Sequence, residues 1–109
     1  MTALSIGPDL PEISRAAVFG LARSGRATLE ALAGRGVEVV GTDAKPALEG
    51  LPERDGVRYE LGGHPSSLLD GCQIAIVSPG IPPTLPIFDE ARARGIFLVS
   101  EIELASRLL

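Results

Sequence analysis

The chain has 109 residues, of which 45% are hydrophobic and 22% charged, and its net charge is −4. Those proportions suit one globular domain with a single core and exclude a disordered chain. No basic cluster offers a track for nucleic-acid phosphates, and no run reaches the ~20 apolar residues of a membrane span.

One cysteine, Cys72, excludes an internal disulfide and a cysteine-rich zinc site. With no positive-then-apolar signal sequence at the start, the compartment expected is a reducing one, the cytoplasm. Residues 1–14 contain Pro8 and Pro11 and hold no sustained period, which predicts an irregular lead-in to a domain at 15–109.

Alternation then begins. Residues 16–19, Ala-Ala-Val-Phe, are a short apolar strand. Leu29, Leu32 and Ala33 recur at helical spacing within 24–34, opposite Arg26 and Glu30, and Gly34 and Gly36 can end that helix. A second strand is expected at 37–41 and a loop at 42–52. A third, more amphipathic strand at 57–61 belongs near an edge. His64-Pro65 opens a short helix through Leu69, with proline in its first turn.

The most apolar strand, 73–77, should be central. Pro82, Pro83 and Pro86 are expected to keep the next segment extended, ahead of a helix at 87–94. That helix has Asp89 and Glu90 early and Arg92 and Arg94 late, as the helix dipole favours. A fifth strand follows at 96–99. The last nine residues place Ile102, Ala105, Leu108 and Leu109 on one helical face, which must dock; the expectation is that the natural chain continues and that this is a first domain. The arginines at 23, 26, 35, 92 and 94 interleave with acids and read as solvated helix faces.

Five short strands alternating with helices imply an α/β, Rossmann-like parallel sheet with helices on both faces and strand order 3-2-1-4-5. Strands 1 and 4 then flank the switch point, where such folds bind ligands. Three loops gather there. Gly20-Leu-Ala-Arg-Ser-Gly25 supplies the first and third glycines of a dinucleotide turn, with Ala22 where the second would admit a pyrophosphate. The amides of Arg23, Ser24 and Gly25 form a ready anion site at a helix start, unless Ser24 only caps the helix. Asp43, closing the second strand, can accept hydrogen bonds from a ribose or a base edge, or simply begin a turn. Lys45 is either near a base or phosphate or a solvated loop charge. Gly80, in the rigid Ser78-Pro-Gly-Ile-Pro-Pro83 loop, permits close backbone approach.

Other chemistry has little support. Ser78 lacks a partner histidine and acid at nucleophile spacing, and His64 reads as a turn histidine. Glu101 and Glu103 diverge on a helix, and the dipole explains Glu101 at its start. The chain contains no G-x-x-x-x-G-K-[ST] phosphate loop.

Over residues 16–109 the sequence resembles the first domain of the Mur ligases, in their D-glutamate-adding branch. The likeness rests on Val18-Phe-Gly-Leu-Ala-Arg-Ser-Gly25, Asp43, Leu61-Gly-Gly-His64, Val77-Ser-Pro-Gly-Ile-Pro82, and Ala91-Arg-Ala-Arg-Gly-Ile96 running into Glu101-Ile-Glu-Leu104. The resemblance implies a domain that holds the UDP end of UDP-N-acetylmuramoyl-L-alanine in peptidoglycan synthesis. It places the backbone amides of Arg23 and Ser24 on the diphosphate, Asp43, Ala44 and Lys45 on the uracil, and Gly80 on the opposite lip. Ala22 and Ala44 depart from the family, which usually has glycine and commonly a hydroxyl residue there. The resemblance implies no cofactor in this chain; ATP and Mg2+ would belong to central and C-terminal domains that it lacks, so it should bind and not catalyse. Two rival readings remain on the residues alone: an NAD(P)-binding domain of an oxidoreductase or regulator, and a ligand-free interaction module.

Overall fold

A computed structural model describes residues 3–109. Five strands form one sheet in the order β3-β2-β1-β4-β5. Strand β1 (Arg15–Phe19) is its middle, paired in parallel with β2 (Glu38–Asp43) and β4 (Ile74–Val77); β3 (Val57–Leu61) and β5 (Phe97–Ser100) are the edges. The all-parallel five-stranded architecture is therefore as expected from the alternation of apolar runs and helices.

The pleat divides the core. Ala16 and Val18 face one side with Leu29, Leu32, Val39 and Ile76, while Ala17 and Phe19 face the other with Val40, Leu68, Phe88 and Ala91. Helix α1 (Arg23–Ala33) covers the first side through Leu29 and Leu32. Helix α2 (Pro86–Ala93) and a 3-10 helix at Ser66–Leu69 cover the second. Helix α3 (Glu101–Leu108) returns to the first side, against α1. Burying both faces is why β1, β2 and β4 read as apolar runs without alternation.

Residues 3–14 contain no regular element beyond a single antiparallel bridge, Leu4 to Ile13. They nonetheless pack on the first side, with Ile6 and Ile13 buried. Arg107 of α3 holds them there, donating to the Ile6 carbonyl at 3.0 Å and to both Asp9 carboxylate oxygens at 2.9 and 2.7 Å.

Several local expectations are corrected. Strand β2 runs two residues further, to Asp43, because Gly20 N–H bonds the Thr42 carbonyl and Gly62 N–H the Asp43 carbonyl, continuing the ladder at both sides. The segment at 82–85 is a turn, closed by Leu85 N–H on the Pro82 carbonyl at 3.4 Å, and Pro86 starts α2 where its missing N–H costs nothing. The docked face of α3 is not the expected one. Leu104 is its buried residue, while Ile102 and Leu109 are 78% and 106% exposed. Strand β5 passes into α3 without a loop, which turns Glu101 inward and puts residues 101, 104 and 108 on the inner face. Arg26 is no solvated charge either: Nε bonds the Leu21 carbonyl at 2.8 Å and Nη1 the Glu49 carbonyl at 2.7 Å, pinning the loop after β2 onto α1.

Candidate functional site

The carboxyl ends of β1, β2 and β4 open into a crevice of about 700 Å³. Its walls include Gly20, Ala22, Ser24, Asp43, Ala44, Lys45, His64 and the segment 78–82. That volume is in the range of small-ligand sites, and the location is the switch point of a doubly wound sheet. Four of the predicted residues, Ser24, Asp43, Ala44 and Lys45, line one side and Gly80 the other. Arg23 and Gly25 belong to the same turn but do not line the cavity: Arg23 is exposed and Gly25 is buried under the turn.

The turn is built by packing. Gly20 has φ +98°, and a Cβ there would stand 2.8 Å from both Cβ and Oγ of Ser78. A Cβ on Gly25 would lie 1.8 Å from the Gly20 carbonyl oxygen, an impossible contact. Gly25 is therefore demanded by the close passage of α1 over the end of β1, and Gly20 by its positive φ and the nearness of Ser78. Ser24 does not cap the helix. Ala22 occupies the N-cap position with no side-chain bond, and the first intrahelical bond runs from Arg26 N–H to the Ala22 carbonyl. Among the described residues no acceptor takes the N–H groups of residues 22–25. Such amides point outward along the axis at the positive end of the helix dipole.

Asp43 does more locally than the sequence suggests. Oδ2 accepts the Leu21 N–H at 2.9 Å and Oδ1 the Lys45 N–H at 3.0 Å, so one carboxylate fastens the glycine turn to the end of β2. Burial pushes its pKa up, but these two amides, with the charges of Lys45 and His64, outweigh burial and hold it below the ordinary 3.8. Each oxygen keeps a second lone pair for a ligand.

His64 is a wall of the crevice, which its reading as a turn residue missed. Its ring packs on Phe19 with centroids 5.3 Å apart. Thr42 Oγ1 lies 3.1 Å from the Gly63 carbonyl and 2.7 Å from His64 Nδ1. The hydroxyl has one proton, and the carbonyl can only accept it; Nδ1–H must then donate to the hydroxyl oxygen. This network assigns the Nδ1–H tautomer and leaves Nε2 an acceptor. Burial lowers the His64 pKa, with the Asp43 charge opposing, so the ring is neutral at pH 7. The signal available beforehand was the Gly-Gly-His sequence at the end of a strand.

Gly80 differs from the turn glycines, since nothing lies within 4 Å of a Cβ built on it. Cys72, by contrast, is a core thiol just before β4, at the opposite end of the strands from the crevice, with burial pushing its pKa up to about 11. Among the described residues no cluster of three His, Cys, Asp or Glu is placed to hold a metal ion, and no helix is long and apolar enough to cross a membrane.

Comparison with known proteins places the chain in a family. Three relatives named UDP-N-acetylmuramoylalanine--D-glutamate ligase illustrate it. That of Shouchella clausii is 44% identical over 95 residues, covering 84% of this chain and 21% of its own length. That of Geobacillus kaustophilus is 41% identical over 84% of this chain and 21% of its own length. That of Salinibacter ruber is 40% identical over 102 residues, 91% of this chain and 22% of its own length. The chain thus spans about a fifth of these relatives. The model of the Mur ligase MurD-like N-terminal domain matches residues 14–100, which include the glycine turn, Asp43, His64 and Gly80, and the chain belongs to that family.

Proposed function

We propose that this domain binds the uridine diphosphate end of UDP-N-acetylmuramoyl-L-alanine, within a ligase that adds D-glutamate during peptidoglycan synthesis in the cytoplasm. The observation that carries the reading is the row of four unpaired amides at residues 22–25, at the start of α1, where Ala22 and Ser24 border a 700 Å³ crevice that Gly80 leaves open opposite. In this reading the amides of Arg23, Ser24 and Gly25 hold the diphosphate, reinforced by the helix dipole. Asp43 accepts from the uracil edge with its remaining lone pairs, the Ala44 backbone and Lys45 complete that end, and Gly80 lets the nucleotide lie against the chain.

The chain's own groups bind and orient; none of them does the ligation. The resemblance gives this chain no part in holding ATP or Mg2+, in keeping with a sequence that has no G-x-x-x-x-G-K-[ST] phosphate loop. Both would be held by the central and C-terminal domains of such a ligase, where ATP would supply the activation of the substrate carboxylate. The rival reading, an NAD(P) site, shares the sheet and Asp43; the match to the MurD-like N-terminal domain is what favours the uridine ligand.

Calorimetry and amide chemical shifts with UDP, UDP-N-acetylmuramoyl-L-alanine and NAD test the proposal. The uridine ligands should give heat and shift the amides of residues 22–25 and 80. Binding of NAD without a response to either uridine ligand overturns it.

A further inference from the structure

Glu101 begins α3, where the dipole favours an acid whatever it touches. Its partner is more informative. Oε2 accepts the Ser78 hydroxyl at 2.5 Å across a separation of 23 residues. Ser78 is 8% exposed and sits between the lips of the crevice, with Oγ 3.4 Å from the Gly20 carbonyl oxygen. A serine hydroxyl has one proton, and at these distances the carboxylate takes it. Without Glu101 the hydroxyl is left with the Gly20 carbonyl oxygen alone, and at 3.4 Å that contact is longer than an ordinary O–H···O hydrogen bond and does not hold it in place.

Glu101 has little slack. Ser100 closes β5 and also caps α3, its Oγ accepting the Glu103 N–H at 3.1 Å. The carboxylate is thus fixed by a strand end on one side and by Ser78 on the other. We propose that Glu101 is a positioning residue for the crevice: through Ser78 it fixes the separation between the glycine turn and the 78–83 loop, and it ties α3 to the floor of the nucleotide site. This rests on the uridine reading for its effect on affinity, but not for its effect on the turn.

The test uses the 109-residue chain as wild type, Glu101→Ala, Glu101→Gln, Ser78→Ala and the Glu101→Ala/Ser78→Ala double variant. Three quantities are read: UDP affinity by calorimetry, ligand-free amide exchange, and the urea midpoint. The informative amides are Gly20, bonded to the Thr42 carbonyl, and Leu21, bonded to Asp43; Val39, bonded to the Gly56 carbonyl at the other end of the sheet, is the control. Glu101→Ala should speed exchange at Gly20 and Leu21 about tenfold relative to Val39. It should also weaken UDP binding about fivefold. Glu101→Gln retains an acceptor and should restore most of both. The double variant should bind no more weakly than the weaker single one, since both remove the same bond. A lower urea midpoint with relative exchange and UDP affinity unchanged overturns the proposal. If the wild type gives no response to UDP, the uridine reading falls; exchange at Gly20 and Leu21 then decides the role of Glu101 alone.

Discussion

The two lips of the crevice both present glycine, for opposite physical reasons. On the lip formed by residues 20–25, a Cβ on either glycine meets something: Ser78 stands against Gly20, and the Gly20 carbonyl against Gly25. Asp43 clamps the same turn from the end of β2. On the lip formed by residues 78–83, Gly80 has open space around it and an ordinary negative φ. The first lip is therefore rigid because the fold requires it. At the second, nothing in the fold requires the absence of a side chain. A glycine that packing does not explain is the better indicator of a ligand, and a glycine that packing explains fully says little about one.

Substitutions on the two lips should separate stability from binding. The largest effect belongs to Gly25→Ala, which forces a methyl group against the Gly20 carbonyl oxygen at 1.8 Å. Helix α1 must lift from β1, and we expect a loss of about 3 kcal/mol or more, read from the urea midpoint. Near-wild-type stability in that variant would mean that the turn is far softer than its contacts imply. Asp43→Ala comes next. It strands the N–H groups of Leu21 and Lys45, so stability should fall by about 1–3 kcal/mol, with UDP affinity falling as well. The pH dependence has a definite sign. Because the folded-state pKa lies below the unfolded value, Asp43 stabilises the fold above the unfolded pKa, and that contribution disappears as pH falls through the folded one. Asp43→Asn keeps one acceptor oxygen and should flatten this acid limb of the stability curve; an unchanged limb would assign it to other carboxylates.

What the sequence revealed follows the same division. The order of five strands was legible because both-sided burial leaves apolar runs, and connections of this kind have one hand. The location of the crevice followed from that order. The contacts around it were not legible, since they join residues remote in the chain: Ser78 to Glu101, Thr42 to His64, the Leu21 N–H to Asp43. Periodicity also misplaced the inner face of α3. Apolar spacing favours a face through Ile102, whereas the loopless exit from β5 sets the rotation and buries Leu104 instead. Helix orientation there is a property of the junction, which composition does not encode.

Two weaker effects sharpen the contrast between the lips. Gly80→Val adds a branched side chain into open space, so the urea midpoint should hold within about 0.5 kcal/mol. UDP affinity should nevertheless fall about tenfold, near 1.4 kcal/mol, because the backbone approach is blocked. Unchanged affinity would remove the second lip from the site. The smallest effect concerns His64. Burial lowers its pKa below the unfolded 6.5, so the folded state binds fewer protons than the unfolded one in that window. Stability should therefore fall as pH drops from 7 through the folded pKa, where the ring acquires a proton beside the Phe19 face. The screening expected for a partly exposed ring keeps the slope shallow. His64→Gln, which can still reach the Thr42 hydroxyl, should abolish that slope and leave the Asp43 limb at lower pH in place. A slope that survives the substitution would have to arise elsewhere, although His64 is the only histidine in the chain.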